Sequence, residues 1–187
     1  MKRMTLILVL LLCFPIAHAY EMAGIELQEE VKLNGVQAPL VLNGAGLRKK
    51  LFFKVYLGSL YLPQRLSDPQ QIIDADEPKR MQMDMLYSKV EKEKFIDGWN
   101  EGFAANHAED ELMPLRDRIE QFNAMFETLV EGERIQLDYL PGQGTRVTIK
   151  EQERGVIPGH DFNRALMKIW LGSAPVTRGL KKALLGE

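Results

Sequence analysis

Cysteine and histidine are scarce in this 187-residue sequence, which has one cysteine and three histidines. The cysteine, Cys13, lies in the apolar N-terminal segment, and beyond that segment only His107 and His160 remain, each isolated in a polar stretch. Zinc sites use several Cys or His ligands close together, and disulfides need paired cysteines. We therefore expect no metal site, no cofactor and no disulfide, so that the folded chain depends on its hydrophobic core for stability.

Several common functional motifs are also missing. The sequence contains neither the glycine-rich P-loop that cradles phosphates nor the Gly-x-Ser-x-Gly elbow of the α/β-hydrolases. Its 24 basic and 26 acidic residues are interspersed along the chain and give a net charge of −2. Nucleic-acid-binding domains instead concentrate basic residues in a patch or stripe, so we expect no nucleic-acid partner.

Long apolar runs are absent after the first 19 residues. Lys2 and Arg3 precede an apolar stretch at residues 6–14, and residues 17–19 form a small-x-small cleavage motif. This is the pattern of a secretory signal peptide, and the stretch is shorter than the roughly 20 apolar residues that a transmembrane helix needs. We therefore predict cleavage after Ala19, export to the periplasm and no transmembrane span.

Residues 20–187 are predicted to form a single domain, because a chain of this length can bury a sufficient core. Alternating or turn-bounded apolar runs predict strands at residues 24–33, 38–42, 51–62, 79–88, 134–140, 145–150 and 152–156. Helical periodicity and capping signals predict helices at residues 69–75, 91–106, 112–130, 161–171 and 176–185. This order indicates an α+β fold, in which an antiparallel β-sheet is covered on one face by helices.

Residues 43–62 carry the most specific pattern of the sequence. The glycines of residues 44–46 predict a turn that delivers Arg48 into a long strand containing Tyr56. Two lysines follow the arginine directly, so it could belong to a solvent-facing basic cluster. Alternatively, its guanidinium is fixed at the mouth of an apolar cleft, where it would bind a carboxylate or a phenolate in a bidentate manner.

This segment resembles the corresponding part of the chalcone isomerase-like superfamily, in which Gly-x-Gly-x-Arg leads into a strand ending in Gly/Ser-x-Tyr-Leu. The resemblance extends to residues 162–184 and so covers most of the chain beyond the predicted signal peptide. It implies the open-faced β-sandwich of that superfamily, which contains both enzymes and proteins without isomerase activity. It also implies a role for Arg48, because the corresponding arginine of the isomerases holds the anionic form of the substrate.

The other polar positions of the isomerases are not retained. By the resemblance, the enzymes' threonine, tyrosine, lysine, asparagine and specificity-setting polar residue correspond to Tyr56, Phe95, Gly98, Gly102 and Ile169. A different register of the helix would supply Asn100 or Asn106 instead. General acid–base catalysis needs groups that bind and release protons, so we do not expect a flavonoid cyclase.

The fatty-acid-binding members of the superfamily offer a closer comparison, because they hold a carboxylate with an arginine and a tyrosine. Arg48 and Tyr56 match this pair, and their even separation along an extended segment would put both on one sheet face. The walls of the cleft would be formed by Phe95, Trp99, Phe103 and Ile169. Aromatic stripes of this kind also serve ordinary core packing, and that interpretation stays open.

The leading hypothesis is therefore a periplasmic, non-catalytic binding protein for a fatty acid or a similar amphipathic carboxylate. One alternative is an isomerase or lyase of unknown substrate, with Arg48 as electrostatic stabiliser and Tyr56, Tyr87 or Asn100 as the proton-transfer group. A second alternative is a structural or assembly factor whose cleft has collapsed. The expected partner is a small anionic amphiphile, and the sequence identifies no protein partner.

Overall fold

The computed structural model describes residues 20–187. In chain order its strands are β1 (Tyr20–Met22), β2 (Ile25–Leu27), β3 (Glu30–Val31), β4 (Leu40–Lys50), β5 (Phe53–Leu62), β6 (Lys79–Met85), β7 (Lys89–Val90), β8 (Leu129–Val130), β9 (Arg134–Leu140), β10 (Gly144–Ile149) and β11 (Gln152–Ile157). Its helices are α1 (Pro69–Asp74), α2 (Lys92–Asn106), α3 (Glu109–Leu112), α4 (Arg116–Ala124), α5 (His160–Leu171) and α6 (Arg178–Leu184), with a 3₁₀ turn at Met113–Leu115. The predicted signal peptide and its cleavage site lie outside the described residues. Within residues 20–187, every helix is too short or too polar to cross a membrane.

Seven strands form one antiparallel sheet in the order β11-β10-β9-β6-β5-β4-β3. Side chains alternate along β6, so that Met81, Met83 and Met85 are buried in the same core as the helices, whereas Gln82 and Asp84 lie on the other face. Helices α1, α2, α4, α5 and α6 all contribute buried side chains to that core. The predicted α+β fold, an antiparallel sheet covered on one face by helices, is confirmed.

The face of the sheet opposite the helices carries paired charges and a smaller apolar cluster. Arg80 donates two hydrogen bonds to Asp138 at 2.6 and 2.7 Å, and Arg134 donates one to Asp84 at 2.5 Å. Each of these buried carboxylates thus has an arginine partner, which offsets the cost of removing its charge from water. The apolar cluster consists of Val31, Leu33, Leu40, Tyr61 and Leu140.

Two strand boundaries predicted from local signals are wrong. Residues 44–46 do not form a turn, because β4 runs through them and the hairpin turn lies at Leu51 and Phe52. The predicted strand at 24–33 is divided, since β2 pairs with β1 whereas β3 pairs with β4. In both places the register of strand pairing decides the structure, and the glycine and alternation signals do not contain that register.

The helix predicted at residues 112–130 is wrong in its extent. Four of its five predicted apolar positions are buried, namely Leu115, Phe122, Phe126 and Leu129, and the fifth, Ile119, is partly buried. However, the segment starts in a 3₁₀ turn that contains Pro114, the helix proper ends at Ala124, and the last residues form β8 paired with β7. Proline lacks the N–H that continues a helical hydrogen-bond ladder. Buried residues at helical spacing therefore need not belong to one continuous helix.

Candidate ligand-binding site

A cavity of about 380 Å³ opens beside the β4–β5 hairpin, between the helix-covered face of the sheet and α2. This volume lies within the usual range of small-molecule sites. The apolar and aromatic lining side chains are Leu51, Phe53, Val55, Tyr56, Tyr87, Val90, Phe95, Trp99, Ile169 and Val176. The charged lining side chains are Arg48, Lys50, Lys89, Glu91, Lys94, Asp97 and Glu101. The cavity therefore combines an apolar wall with charged groups.

The spacing Gly-x-Gly-x-Arg places Arg48 at this cavity. Because strand side chains alternate, Gly44, Gly46 and Arg48 share the helix-covered face of β4. Helix α6 packs directly on the glycines: a Cβ added to Gly46 would lie 2.5 Å from the Cβ of Ala183, and one added to Gly44 would overlap the Ala183 carbonyl oxygen. Arg48 is the next residue on that face, and its side chain lines the cavity instead of lying under the helix.

Arg48 and Tyr56 are brought together by a β-bulge. Arg48 pairs with Tyr56 across the hairpin, but the register shifts immediately afterwards, so that Val55 is an extra residue in β5. The Val55 carbonyl oxygen accepts hydrogen bonds from the backbone N–H groups of residues 86 and 87. The Arg48 Cζ lies 5.7 Å from the centroid of the Tyr56 ring, in a cation–π arrangement. The two residues thus share one face, as cross-strand neighbours and not along a single strand.

Arg48 is half-buried, and its guanidinium has no carboxylate partner within 4 Å among residues 20–187. Two other cations of the lining are paired: Lys89 Nζ lies 2.7 Å from Glu91, and Lys94 Nζ lies 3.7 Å from Asp97. A charge that is partly removed from water is unfavourable unless an opposite charge or a hydrogen bond compensates it. The cavity at Arg48 is therefore electrostatically suited to an anion.

The Tyr56 hydroxyl is oriented by the protein and keeps its hydrogen available. It accepts a hydrogen bond from Trp170 Nε1 at 2.9 Å, and no acceptor for its own hydrogen lies among the described residues. Burial raises the pKa of Tyr56 above its ordinary value of 10.0, although the Arg48 charge and the Trp170 hydrogen bond act to lower it. The phenol therefore stays protonated at neutral pH and can donate to a ligand oxygen beside Arg48.

Trp99 supplies a further N–H group to the site. Its side chain is buried and lines the cavity, and its Nε1 has no hydrogen-bond partner in residues 20–187. Leaving a buried donor unsatisfied costs about 1–3 kcal/mol, which a ligand oxygen or a water molecule would offset. The aromatic stripe of α2 predicted that the Trp99 ring lines the cleft, but not that its N–H group lacks a hydrogen-bond partner.

The sequence did not predict the role of Trp170, because no local pattern links α5 to Tyr56.

The structure gathers most of the predicted site residues around this cavity, namely Arg48, Tyr56, Phe95, Trp99 and Ile169. It places Asn100 and Phe103 elsewhere, in a separate depression between α2, α3 and α4. There, Asn100 accepts a hydrogen bond from Asn123 Nδ2 at 2.9 Å, and the Phe103 ring packs 6.1 Å from that of Phe162. Asn100 follows Trp99 by one residue and so lies about 100° away around the helix, while Phe103 lies one turn further along.

The chemistry available at the cavity is that of anion recognition. It offers a guanidinium, a phenolic O–H and an indole N–H, whereas the carboxylates of Glu91 and Asp97 are engaged by lysines and the third lining carboxylate, that of Glu101, is exposed to solvent. Within residues 20–187, no three Cys, His, Asp or Glu side chains are close enough together to hold a metal ion. The arrangement suits an oxyanion at the end of an apolar molecule.

The sheet, its helical layer and the cavity between them define an α+β protein with a partly apolar cavity beside the β4–β5 hairpin. The family model described as chalcone isomerase-like matches residues 19–186, and the chain belongs to this family. Among solved structures, the fold is similar to that of a fatty-acid binding protein from Arabidopsis thaliana, with a TM-score of 0.71 and 15% sequence identity over 90% of this chain and 96% of that chain. At this identity the likeness establishes the fold. Comparison with curated proteins gave no match.

Proposed function

We propose that this protein is a periplasmic, non-catalytic binding protein for a fatty acid or a similar amphipathic carboxylate. The carboxylate lies against Arg48 and receives a hydrogen bond from the Tyr56 hydroxyl, while the hydrocarbon chain occupies the apolar part of the cavity. The observation that carries the proposal is the half-buried Arg48, whose guanidinium has no carboxylate partner among residues 20–187 and lies over the ring of Tyr56, a phenol with an available hydrogen. One carboxylate would satisfy both groups, since charge-assisted hydrogen bonds are the strong ones.

Two further findings support the proposal. The similar Arabidopsis thaliana structure is that of a fatty-acid binding protein. In addition, the positions where the resemblance places polar groups of the isomerases are occupied in this cavity by Phe95, Gly98 and Ile169. A lining of this kind favours binding over proton transfer, which needs groups that gain and lose a proton.

The site is tested by titrating residues 20–187 with palmitate, using Arg48→Ala and Lys49→Ala as a matched pair. Lys49 is exposed and lies on the opposite face of β4, so its substitution removes the same charge without changing the cavity lining. A hydrogen bond to a charged group contributes about 1.5–3 kcal/mol. We therefore expect palmitate affinity to fall on the order of ten- to a hundredfold in Arg48→Ala only. Equal affinities for the two variants would contradict the proposed site.

Native mass spectrometry of protein recovered from the periplasm tests the ligand class and the location together. We expect a chain that begins at Tyr20 and carries a carboxylic acid, which lipid extraction releases and which is absent from Arg48→Ala. Protein found only in the cytoplasm would contradict export. Protein that reaches the periplasm but contains no such acid would contradict the ligand class.

A further inference from the structure

The β4–β5 hairpin ends in a tip that is both apolar and basic. Residues 49–54, here called the basic–apolar tip, read Lys-Lys-Leu-Phe-Phe-Lys and comprise the two-residue turn and the adjoining strand ends. Phe52 is 96% exposed, Leu51 84% and Phe53 56%. Single exposed apolar side chains are ordinary, but a contiguous group of large ones marks an interaction surface.

The sequence of the tip is unfavourable for a hairpin turn. Leu51 has a φ of 54°, in the left-handed region that two-residue turns usually fill with Gly, Asn or Asp. Lys49 lies directly opposite Lys54 in the strand register, and like charges in this arrangement repel each other. Because a glycine and an acidic residue would give a more stable hairpin, the stability of the fold does not account for these side chains.

The lysines of the tip have no counter-ions in the part of the chain that the structure describes. No ion pair within residues 20–187 includes Lys49, Lys50 or Lys54, although the whole chain has a net charge of −2. The tip therefore presents three positive charges around an apolar centre. Large apolar side chains at the end of a narrow turn suit insertion among lipid headgroups, whereas protein interfaces are broad and closely packed.

The tip also forms part of the rim of the ligand cavity. Lys50, Leu51 and Phe53 line the cavity, and the Phe53 ring packs edge-to-face against Tyr87 with the ring centroids 5.6 Å apart. A surface that holds the tip would therefore lie next to the cavity mouth.

We propose that the basic–apolar tip docks this protein on a bilayer that contains anionic phospholipids. Phe52 and Leu51 insert at the boundary between the headgroups and the acyl chains, where the apolar side chains of interfacial segments are buried. Lys49, Lys50 and Lys54 lie against the lipid phosphates, which attract basic residues near the membrane surface. An amphipathic carboxylate can then pass between the bilayer and the cavity, and only this last step rests on the proposed function.

Co-sedimentation of residues 20–187 with lipid vesicles tests the docking. We expect binding to vesicles of phosphatidylcholine mixed with phosphatidylglycerol, little binding to phosphatidylcholine alone, and loss of binding at high salt. Phe52→Ser should weaken binding to the anionic vesicles on the order of tenfold, because a buried phenyl ring is lost. The double variant Lys49→Gln, Lys50→Gln should weaken it on the order of tenfold as well.

Matched controls carry the same changes elsewhere on the surface. Met113→Ser removes an exposed apolar side chain from the 3₁₀ turn, and Lys32→Gln with Arg65→Gln removes two exposed charges near the opposite end of the β4–β5 pair. Both controls should bind vesicles as the unsubstituted protein does. Failure to bind anionic vesicles, or equal binding by the tip and control variants, overturns the proposal. Palmitate affinity measured without vesicles should be unchanged in Phe52→Ser, which separates docking from the cavity.

Discussion

At the scale of single residues, Lys79 has an unusual environment for an ammonium group. Its side chain is 1% exposed, and its Nζ donates hydrogen bonds to the carbonyl oxygens of Ile72 at 2.8 Å and Ala75 at 2.7 Å, at the end of α1. A cation is favoured at the C-terminal end of a helix, but burial disfavours its charge. Burial lowers the pKa of Lys79 from 10.5 to about 8, although nearby acidic residues act to raise it.

The lowered pKa predicts a specific pH dependence of stability. Between about pH 8 and 10.5 the unfolded chain holds the Lys79 proton and the folded chain releases it, so this lysine makes the free energy of unfolding rise with pH. Urea unfolding of the unsubstituted protein and of Lys79→Met at pH 8 and pH 9.5 measures the effect. We expect the free energy of unfolding of the unsubstituted protein, relative to that of Lys79→Met, to be higher at pH 9.5 than at pH 8 by about 1.5 kcal/mol. A difference that does not change with pH would show that Lys79 titrates normally.

Trp170 is predicted to position the Tyr56 hydroxyl for the ligand. Trp170→Phe should lower the free energy of unfolding by about 1–3 kcal/mol, because a buried hydrogen bond and core volume are lost. It should also weaken palmitate binding, since the hydroxyl is no longer held. Urea unfolding and palmitate titration of Trp170→Phe, Tyr56→Phe and the double variant give the coupling energy between the two side chains. Unchanged palmitate affinity in Trp170→Phe would limit Trp170 to a structural role.

At the scale of secondary structure elements, the contact between α6 and β4 determines where the site lies. Gly44, Gly46 and Gly58 lie beneath α6. A side chain at Gly46 or at Gly58 would meet Leu180 of that helix. Because these glycines have no side chains, α6 can pack closely on the sheet. Arg48 lies just beyond the helix and is not covered by it.

Glycine substitutions test this contact directly. Gly44→Ala should lower the free energy of unfolding by about 2 kcal/mol or more, because its Cβ meets backbone atoms of α6 that cannot move independently. Gly179→Ala is the matched control: it lies within α6, nothing lies within 4 Å of its added Cβ, and it should raise stability by up to about 1 kcal/mol. Urea unfolding measures both variants. Equal changes in the free energy of unfolding for the two variants would mean that the packing of α6 does not depend on the glycines beneath it.

The same contact explains which elements could be predicted from the sequence. Alternation in β6 and helical spacing in α2 and α5 are local patterns, and these elements are correctly predicted. Residues 44–46 were predicted as a turn because the sequence does not distinguish a glycine that permits a turn from a glycine that permits close packing. The packing partner, α6, lies about 140 residues away, beyond any local pattern.

The candidate site shows a similar division. The resemblance identifies both Arg48 and Tyr56, but the argument from side-chain alternation along one extended segment is wrong, because the two residues lie on different strands and a β-bulge sets their pairing. The stripe Phe95, Trp99 and Phe103 could be assigned to one helix face, but not divided between the cavity and the packed core. Phe103 packs against Phe162 of α5, and a local pattern does not contain this contact between residues distant in sequence.

At the scale of the whole molecule, the helices and the sheet share one continuous apolar core. We therefore expect residues 20–187 to unfold in urea as a single cooperative unit. Tryptophan fluorescence reports the helical layer through Trp99 and Trp170, whereas far-ultraviolet circular dichroism also reports the sheet. The two transitions should coincide, and a reducing agent should not move them, since residues 20–187 contain no cysteine. Transitions at different urea concentrations would contradict the single-domain prediction.

Asn43 connects parts of the chain that the ribosome synthesises at widely separated times. Its side-chain amide donates to the carbonyl oxygens of Leu66 at 2.9 Å and Leu184 at 2.7 Å, the second of these 141 residues away. A nascent chain therefore exposes the glycine face of β4 throughout most of its synthesis, and contacts of such long sequence separation form slowly. Helix α6 can cover this face only after residue 184 has left the ribosome. Until then, the glycine face of β4 is the surface that a holding chaperone would have to protect.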